Sequence, residues 1–159
     1  MIAVLDTSAI LSGKFYFGGA DRVMTAPSVV REFSKGGHSW RLMQYTMDAG
    51  MEVIAPDSES VNKVRAAAGH TGDLEELSGA DIEIMALALD FEDAVLFTDD
   101  YAMQNVALHL GISYEGILQE GIKEKFYWKY RCSSCGKFVD AGTGTCPVCG
   151  GKIKRVRWK

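Results

Sequence analysis

Four cysteines, arranged as Cys132-Ser-Ser-Cys135 and Cys146-Pro-Val-Cys149, form two C-x-x-C pairs with ten residues between them and a glycine directly after each, Gly136 and Gly150. A tight knuckle around a thiolate–metal centre needs backbone at positive φ after the second cysteine, and glycine supplies it without a Cβ clash. The natural product is a closed four-thiolate zinc site, structural rather than catalytic. Two disulfides or a redox pair are the competing readings. A reducing cytosolic setting disfavours the first, and two symmetric pairs exceed what the second requires. A segment of fewer than about 40 residues cannot bury a sufficient core unaided, so the metal is expected to hold it folded.

Residues 126–131 and 152–159 flank the cysteines and read as strands, which completes a zinc ribbon. Basic residues interleaved with Tyr127, Trp128, Tyr130 and Trp158 suit phosphate contacts and base stacking on single-stranded nucleic acid. Lys129, Arg131, Lys152, Lys154, Arg155 and Arg157 are the candidate RNA contacts, while core packing of the ribbon claims about half of the aromatics. Charge follows the same division. Residues 1–120 hold 7 Lys and Arg against 19 Asp and Glu, a net −12, whereas residues 121–159 hold 10 against 2, a net +8. An acidic part that collects cations is thus joined to a basic part that meets polyanions; a solvated acidic surface beside a basic tail is the plainer alternative.

The first 120 residues alternate between short apolar runs and helical spacing. Strands are expected at 2–5, 23–26, 52–55, 94–98 and 112–114, and helices at 29–33, 38–48, 60–68, 81–91 and 101–110. In the fourth helix Ile82, Met85, Ala86 and Leu89 recur at i, i+3, i+4 and i+7 behind a Ser78 or Asp81 cap. Such βα alternation implies an α/β fold, a parallel sheet flanked by helices. No apolar run approaches roughly 18 residues, and the chain meets Asp6 before any basic leader, so a soluble, cytoplasmic protein with no membrane contact is expected.

In an open parallel sheet the ligand crevice lies beyond the carboxyl ends of the strands. Asp6 follows the first strand, Asp99 and Asp100 follow the fourth, Glu32 lies in the helix after the second, and Asp81 opens the helix at 81–91. Carboxylates converging there from distant parts of the chain repel one another unless cations sit between them, and hard Mg2+ or Mn2+ ions prefer such oxygen ligands. That site suits metal-activated water attacking a phosphodiester in line. Taken singly, each acid is equally readable as a helix cap or a solvated charge. Asp48, Asp57, Glu59, Asp73, Glu75, Glu76 and Glu92 are assigned to solvent. His38, His70 and His109 share no ligand spacing, and packing accounts for His109. Phe15-Tyr-Phe17, between glycines, reads as an aromatic loop near Asp6 that serves either stacking or packing.

Val4-Leu-Asp-Thr-Ser-Ala9, Glu32, Ser78-Gly-Ala-Asp-Ile-Glu-Ile-Met-Ala-Leu-Ala88 and Phe97-Thr-Asp-Asp-Tyr-Ala-Met-Gln-Asn-Val-Ala107 are similar to the acidic motifs of the PIN-domain ribonucleases. With the Ala-Met-Gln-Asn-Val phrase and a four-cysteine ribbon, nearly the whole chain resembles the NOB-type ribosome-maturation endonucleases in their compact, archaeal-like form. That resemblance implies a PIN-like nuclease domain over 1–118, a linker over 119–126 and a zinc ribbon over 127–159. It implies single-strand endoribonuclease cleavage that matures the 3′ end of small-subunit rRNA, with RNA and ribosome-assembly factors as partners. By position, Asp6, Glu32, Asp81 and Asp99 become the catalytic acids, with Asp6, Asp81 and Asp99 on Mg2+ or Mn2+ and Asp100 a fifth acid. Thr7, Ser8 and Thr98 become positioning groups for metal-bound water or phosphate. A toxin-type PIN ribonuclease, expected to end near residue 115, and a catalytically idle RNA-binding adaptor are the alternatives.

Overall fold

The computed structural model describes residues 1–14, 17–118, 121–140 and 142–159, with Phe17 described by its backbone alone. The aromatic pair Phe15-Tyr16 and linker residues 119–120 lie outside the described residues. Five strands, β1 (Ile2–Leu5), β2 (Arg22–Thr25), β3 (Glu52–Val53), β4 (Ala94–Phe97) and β5 (Ser113–Glu115), form one sheet in the order β3-β2-β1-β4-β5. Every pairing in it is parallel. β1 is apolar and wholly buried because it pairs on both edges and is covered on both faces.

Among the described residues six α-helices connect and cover the strands: α1 (Thr7–Ser12), α2 (Pro27–Arg31), α3 (His38–Asp48), α4 (Ser58–Thr71), α5 (Gly79–Leu89) and α6 (Tyr101–Leu110). α1 packs on α3, while α4, α5 and α6 pack on one another. α5 buries Ile82, Ile84, Met85, Ala86, Leu87 and Ala88 on nearly every side, which makes it the central helix of its layer. It starts at Ser78, whose hydroxyl accepts the Asp81 amide at 3.1 Å while the Asp81 carboxylate accepts the Ser78 amide at 2.8 Å. This reciprocal capping box settles which of the two residues is the cap. Helix α1, which the sequence reading missed, is only six residues long, and its N-cap is Asp6.

The C-terminal piece is a three-stranded antiparallel sheet, β6 (Tyr127–Cys132), β7 (Phe138–Val139) and β8 (Ile153–Trp158), in the order β7-β6-β8. β7 has two residues, too short for an alternating pattern to reveal. Among the described residues no helix is long and apolar enough to cross a membrane.

Leu96 lies in β4 beside β1, has no exposed surface and belongs to the core cluster. Leu96→Ala should therefore cost about 2–5 kcal/mol from lost burial and a residual cavity. Urea unfolding of parent and variant reads this directly; a loss below 1 kcal/mol, taken as roughly the value for a readily collapsing site, would mean that the core closes over the gap.

Candidate active site and cysteine centre

The sheet order reverses direction between β1 and β4, so the crevice of the fold lies past Leu5 and Phe97, which are register partners. Asp6 and the Thr98-Asp99-Asp100 run follow those strands. Asp6 is 4% exposed. Its Oδ1 accepts the Ser8 hydroxyl and the Ala9 amide, each at 2.7 Å. Burial pushes its carboxyl above the usual range, opposed by hydrogen bonds from Thr98, Ser8 and Ala9 and reinforced by the charge of Asp81. Asp100 caps α6, accepting Ala102 and Met103 amides at 2.8 and 3.3 Å. It too is raised, first by burial, with Asp81 and Asp73 adding repulsion against the lowering effect of those amides.

The adjacent acids therefore part company. The Asp99 carboxylate turns to the segment after β5 and accepts the Ile117 amide at 2.7 Å and the Leu118 amide at 3.1 Å, whereas Asp100 shares the field of Asp81. Asp99, expected as a ligand beside Asp6 and Asp81, also holds the loop after β5, and Asp100, the expected fifth acid, lies in the field of Asp81. Glu32 is the C-cap of α2 rather than an interior helical residue, and its carboxylate accepts the Thr7 hydroxyl next to Asp6. Thr98 is fully buried, and its hydroxyl accepts the Asp100 amide at 3.1 Å.

Two partly buried carboxyls, each raised first by burial and further by the charge of Asp81, suit a bound cation. Among the described residues the carboxylates do not close to the mutual spacing of an all-protein cage. Mg2+ keeps several waters and takes only one or two carboxylates directly, so an open rim of Asp6, Asp81 and Asp100 fits a hydrated divalent ion.

The cysteines meet a stricter geometric requirement. All four sulfurs lie within 4.8 Å of one another, with Cys132 and Cys149 at 3.4 Å and Cys135 and Cys146 at 3.7 Å. Four sulfurs about 2.3 Å from a central ion sit about 3.8 Å apart in a tetrahedron. All are free thiols, which removes the disulfide reading. Gly136 and Gly150 have φ of 76° and 71°, as the knuckles require. The Cys135 and Ser134 amides pull the Cys132 thiol down to about 6. Cys149 is pushed up to about 11 despite the lowering effect of the Gly151 amide, because it shares protons with the other sulfurs. A metal cation favours the thiolate form of its sulfur ligands.

Pairing of β6 with β8 sorts the basic residues. Lys129, Arg131 and Lys154 share one face with Phe138 and Trp158, and Lys129 Nζ lies 4.4 Å from the Trp158 ring centroid. This outer face is exposed at all three cations, and Lys152 is exposed beside it. Trp128, Arg155 and Arg157 occupy the inner face. Arg157 lies over the Phe126 ring at 4.6 Å. Arg155, expected to contact RNA, instead donates to Glu76 at 2.9 Å and to the Gly72 carbonyl, and it stacks on Trp128 at 4.0 Å. The pull comes from the acidic domain that the inner face meets.

Asp73, assigned to solvent by its turn-like context, has no exposed surface at all. It accepts hydrogen bonds from the Thr71 hydroxyl, Asn105 Nδ2 and Trp128 Nε1, each at 2.7 Å. The signal for its partner was present in the sequence: Gln104 and Asn105 are amides on the apolar face of α6, and both are fully buried. His109 packs edge-on to Tyr127, as expected.

Residues 3–91 match the family described as the PIN domain of ribonuclease. The chain is 38% identical to Endoribonuclease Nob1 of Archaeoglobus fulgidus, across 98% of this chain and 92% of that protein. It is 39% identical to Endoribonuclease Nob1 of Pyrococcus abyssi, across 96% and 92%. Identity to Ribonuclease VapC1 of Thermoplasma acidophilum is 37%, across 98% and 78%. Relatives under two ribonuclease names thus match nearly the whole of this chain, the cysteine-bearing C-terminal part included.

The raised carboxyls determine the pH response. Without divalent ions, Asp6 and Asp100 bind protons more tightly folded than unfolded. Their contribution to stability is complete below the unfolded carboxylate pKa and is lost as pH rises through the raised folded value. Asp6→Asn should then be more stable than the parent at neutral pH in magnesium-free buffer, the difference vanishing toward the ordinary carboxylate range. A divalent ion selects the ionised form, so its affinity should rise with pH across the same window. Thermal unfolding and titration calorimetry from mildly acidic to neutral pH measure both; pH-independent ion binding would remove the multi-carboxylate site.

Proposed function

The chain belongs to the PIN-domain family of ribonucleases, and from that premise we propose that it is a Nob1-type, divalent-metal-dependent endoribonuclease that matures the 3′ end of small-subunit ribosomal RNA. What supports this reading is the placement of Asp6 directly after β1 and of Asp99-Asp100 just after β4, whose last residues are register partners at the sheet reversal, on the same chain as an exposed basic face. The ions proposed are Zn2+ at the four cysteines and Mg2+ or Mn2+ at the rim. A rim ion supplies activation of water and stabilisation of the entering and leaving phosphodiester oxygens.

The chain's own groups do the rest. Asp6 and Asp100 are oriented by amides and hydroxyls that leave their carboxylates few alternative positions. Thr7 and Ser8 spend their hydroxyl protons on Glu32 and Asp6 and so hold those carboxylates in place, while the buried Thr98 hydroxyl accepts the Asp100 amide. The outer ribbon face, with Lys129, Arg131, Lys152 and Lys154 beside Trp158, offers phosphate contacts and a stacking surface suited to single strands. The proposed setting is the cytoplasm, on a precursor of the small subunit, with assembly factors as protein partners.

Asp6→Asn, Asp81→Asn and Asp100→Asn should each lower Mn2+-dependent RNA cleavage by about a hundredfold or more without loss of thermal stability. Asp99→Asn should act mainly on the loop it holds and leave a larger share of activity. Full activity in Asp100→Asn would return the ligand role to Asp99. Joint replacement of Lys129, Arg131 and Lys154 by Gln should reduce the slope of log affinity against log salt by about two units for single-stranded RNA. Crosslinking to cellular RNA followed by mapping of the bound sites identifies the substrate. A cluster at the small-subunit 3′ end is the expected result, and a scatter over messenger or transfer RNA would overturn it.

A further inference from the structure

We propose that Asp73 is a positioning residue: with Trp128 and Arg155 it locks the ribbon in one orientation on the nuclease domain, so that RNA held on the outer ribbon face meets the carboxylate rim in one register and is cut at one position. This rests on the nuclease reading above. Asp73 receives hydrogen bonds from three chain segments: Thr71 at the end of α4, Asn105 on α6 and Trp128 on β6. Arg155 on β8 brings its Nη2 to 3.7 Å. A fully buried carboxylate gains little net stability from such partners compared with apolar packing. Its bonds are directional, however, and turning the ribbon away would strand a buried charge.

The same contacts lead back to the rim. Helix α6 begins at Asp100, and one turn later Gln104 donates to the Thr98 carbonyl at 2.8 Å while accepting the Ile122 amide at 2.9 Å. Its neighbour Asn105 accepts the Phe126 amide at 3.0 Å and donates to the Phe126 carbonyl at 2.9 Å, pairing with that residue as a strand would. Two adjacent buried amides thus tie the chain entering the ribbon to the segment that carries the rim acids. Close packing reinforces the tie. A Cβ added at Gly72 would lie 2.9 Å from Trp128 Cβ and 3.2 Å from its carbonyl oxygen.

That contact supplies the test. Gly72→Ala places a methyl wedge between domain and ribbon and touches none of the rim acids or outer-face cations. Gly111→Ala is its control: a helix C-cap of similar φ, 74° against 82°, with nothing within 4 Å of the added Cβ. Asp73→Asn is the second variant, removing the charge with little change of shape. The full-length chains are compared on a long RNA whose principal cut site has been mapped with the parent, and on a strand too short to reach the ribbon.

In Gly72→Ala, cutting at the principal position should fall by about tenfold, with new cuts nearby. The rate on the short strand should stay within about twofold. Asp73→Asn should scatter the cuts in the same way, and Gly111→Ala should not. Backbone 15N relaxation should give one common rotational correlation time for domain and ribbon in the parent and a shorter one for the ribbon in both variants. Unchanged cut positions in Gly72→Ala and Asp73→Asn, equal scatter in Gly111→Ala, or independent tumbling in the parent would each overturn the proposal. A parent that cut no RNA would instead overturn the nuclease reading, and the relaxation measurement would still decide the docking.

Discussion

Parallel pairing of β1 with β4 is the constraint on which the rest depends. Leu5 opposite Phe97 ends both strands at the same height, and the chain leaves the first into Asp6 and the second into Thr98-Asp99-Asp100. Carboxylates collected in this way resist the fold because burial and mutual repulsion both disfavour ionisation. The structure offsets this locally. Asp6 caps α1, Asp81 closes the capping box of α5 and Asp100 caps α6, so the same carboxylates that gather at the rim also satisfy otherwise unpaired helix amides. A capping role and a catalytic role are compatible for these residues, since a carboxylate has lone pairs to spare after accepting one or two amides.

The basic ribbon divides its charge between two tasks. Arg155 faces inward against Asp73, Glu76 and Trp128, and Arg157 covers the Phe126 ring while staying exposed itself; Lys129, Arg131 and Lys154 face outward. The attraction between a domain of net −12 and a tail of net +8 is therefore used partly within the molecule. What remains outside is a narrower cationic surface than the tail's total charge implies. It carries aromatic rings already engaged by a cation, as with Lys129 above Trp158.

Such a junction has buried polar groups at its centre. Beside the buried Phe126 ring it holds a buried carboxylate and two buried amides, each satisfied in a specific direction. Apolar surfaces slide at little cost, and a satisfied buried polar network does not. The ribbon itself contributes few buried apolar side chains, Cys132 and Cys146 being its buried sulfurs, so its internal order depends on the cysteine centre while its placement depends on Asp73.

Sequence by itself determined what is local. The two C-x-x-C pairs with their following glycines specified the cysteine centre, since ligand spacing and positive φ are properties of a few adjacent residues. Alternating apolar runs specified the α/β class and the ends of α3 and α6, and acids placed directly after strands marked the rim. Short elements such as α1 and β7 escaped because fewer than two periods of pattern carry no periodicity. Only the tertiary structure decided that Asp99 reaches the segment after β5 while Asp100 caps α6, that Asp73 is buried rather than solvated, and that Arg155 turns to the acidic domain. Each of those outcomes depends on contacts between residues far apart in the chain: Asp99 with Ile117, Asp73 with Trp128, Arg155 with Gly72. Burial and side-chain direction at those sites are set by register and docking, which no single segment encodes.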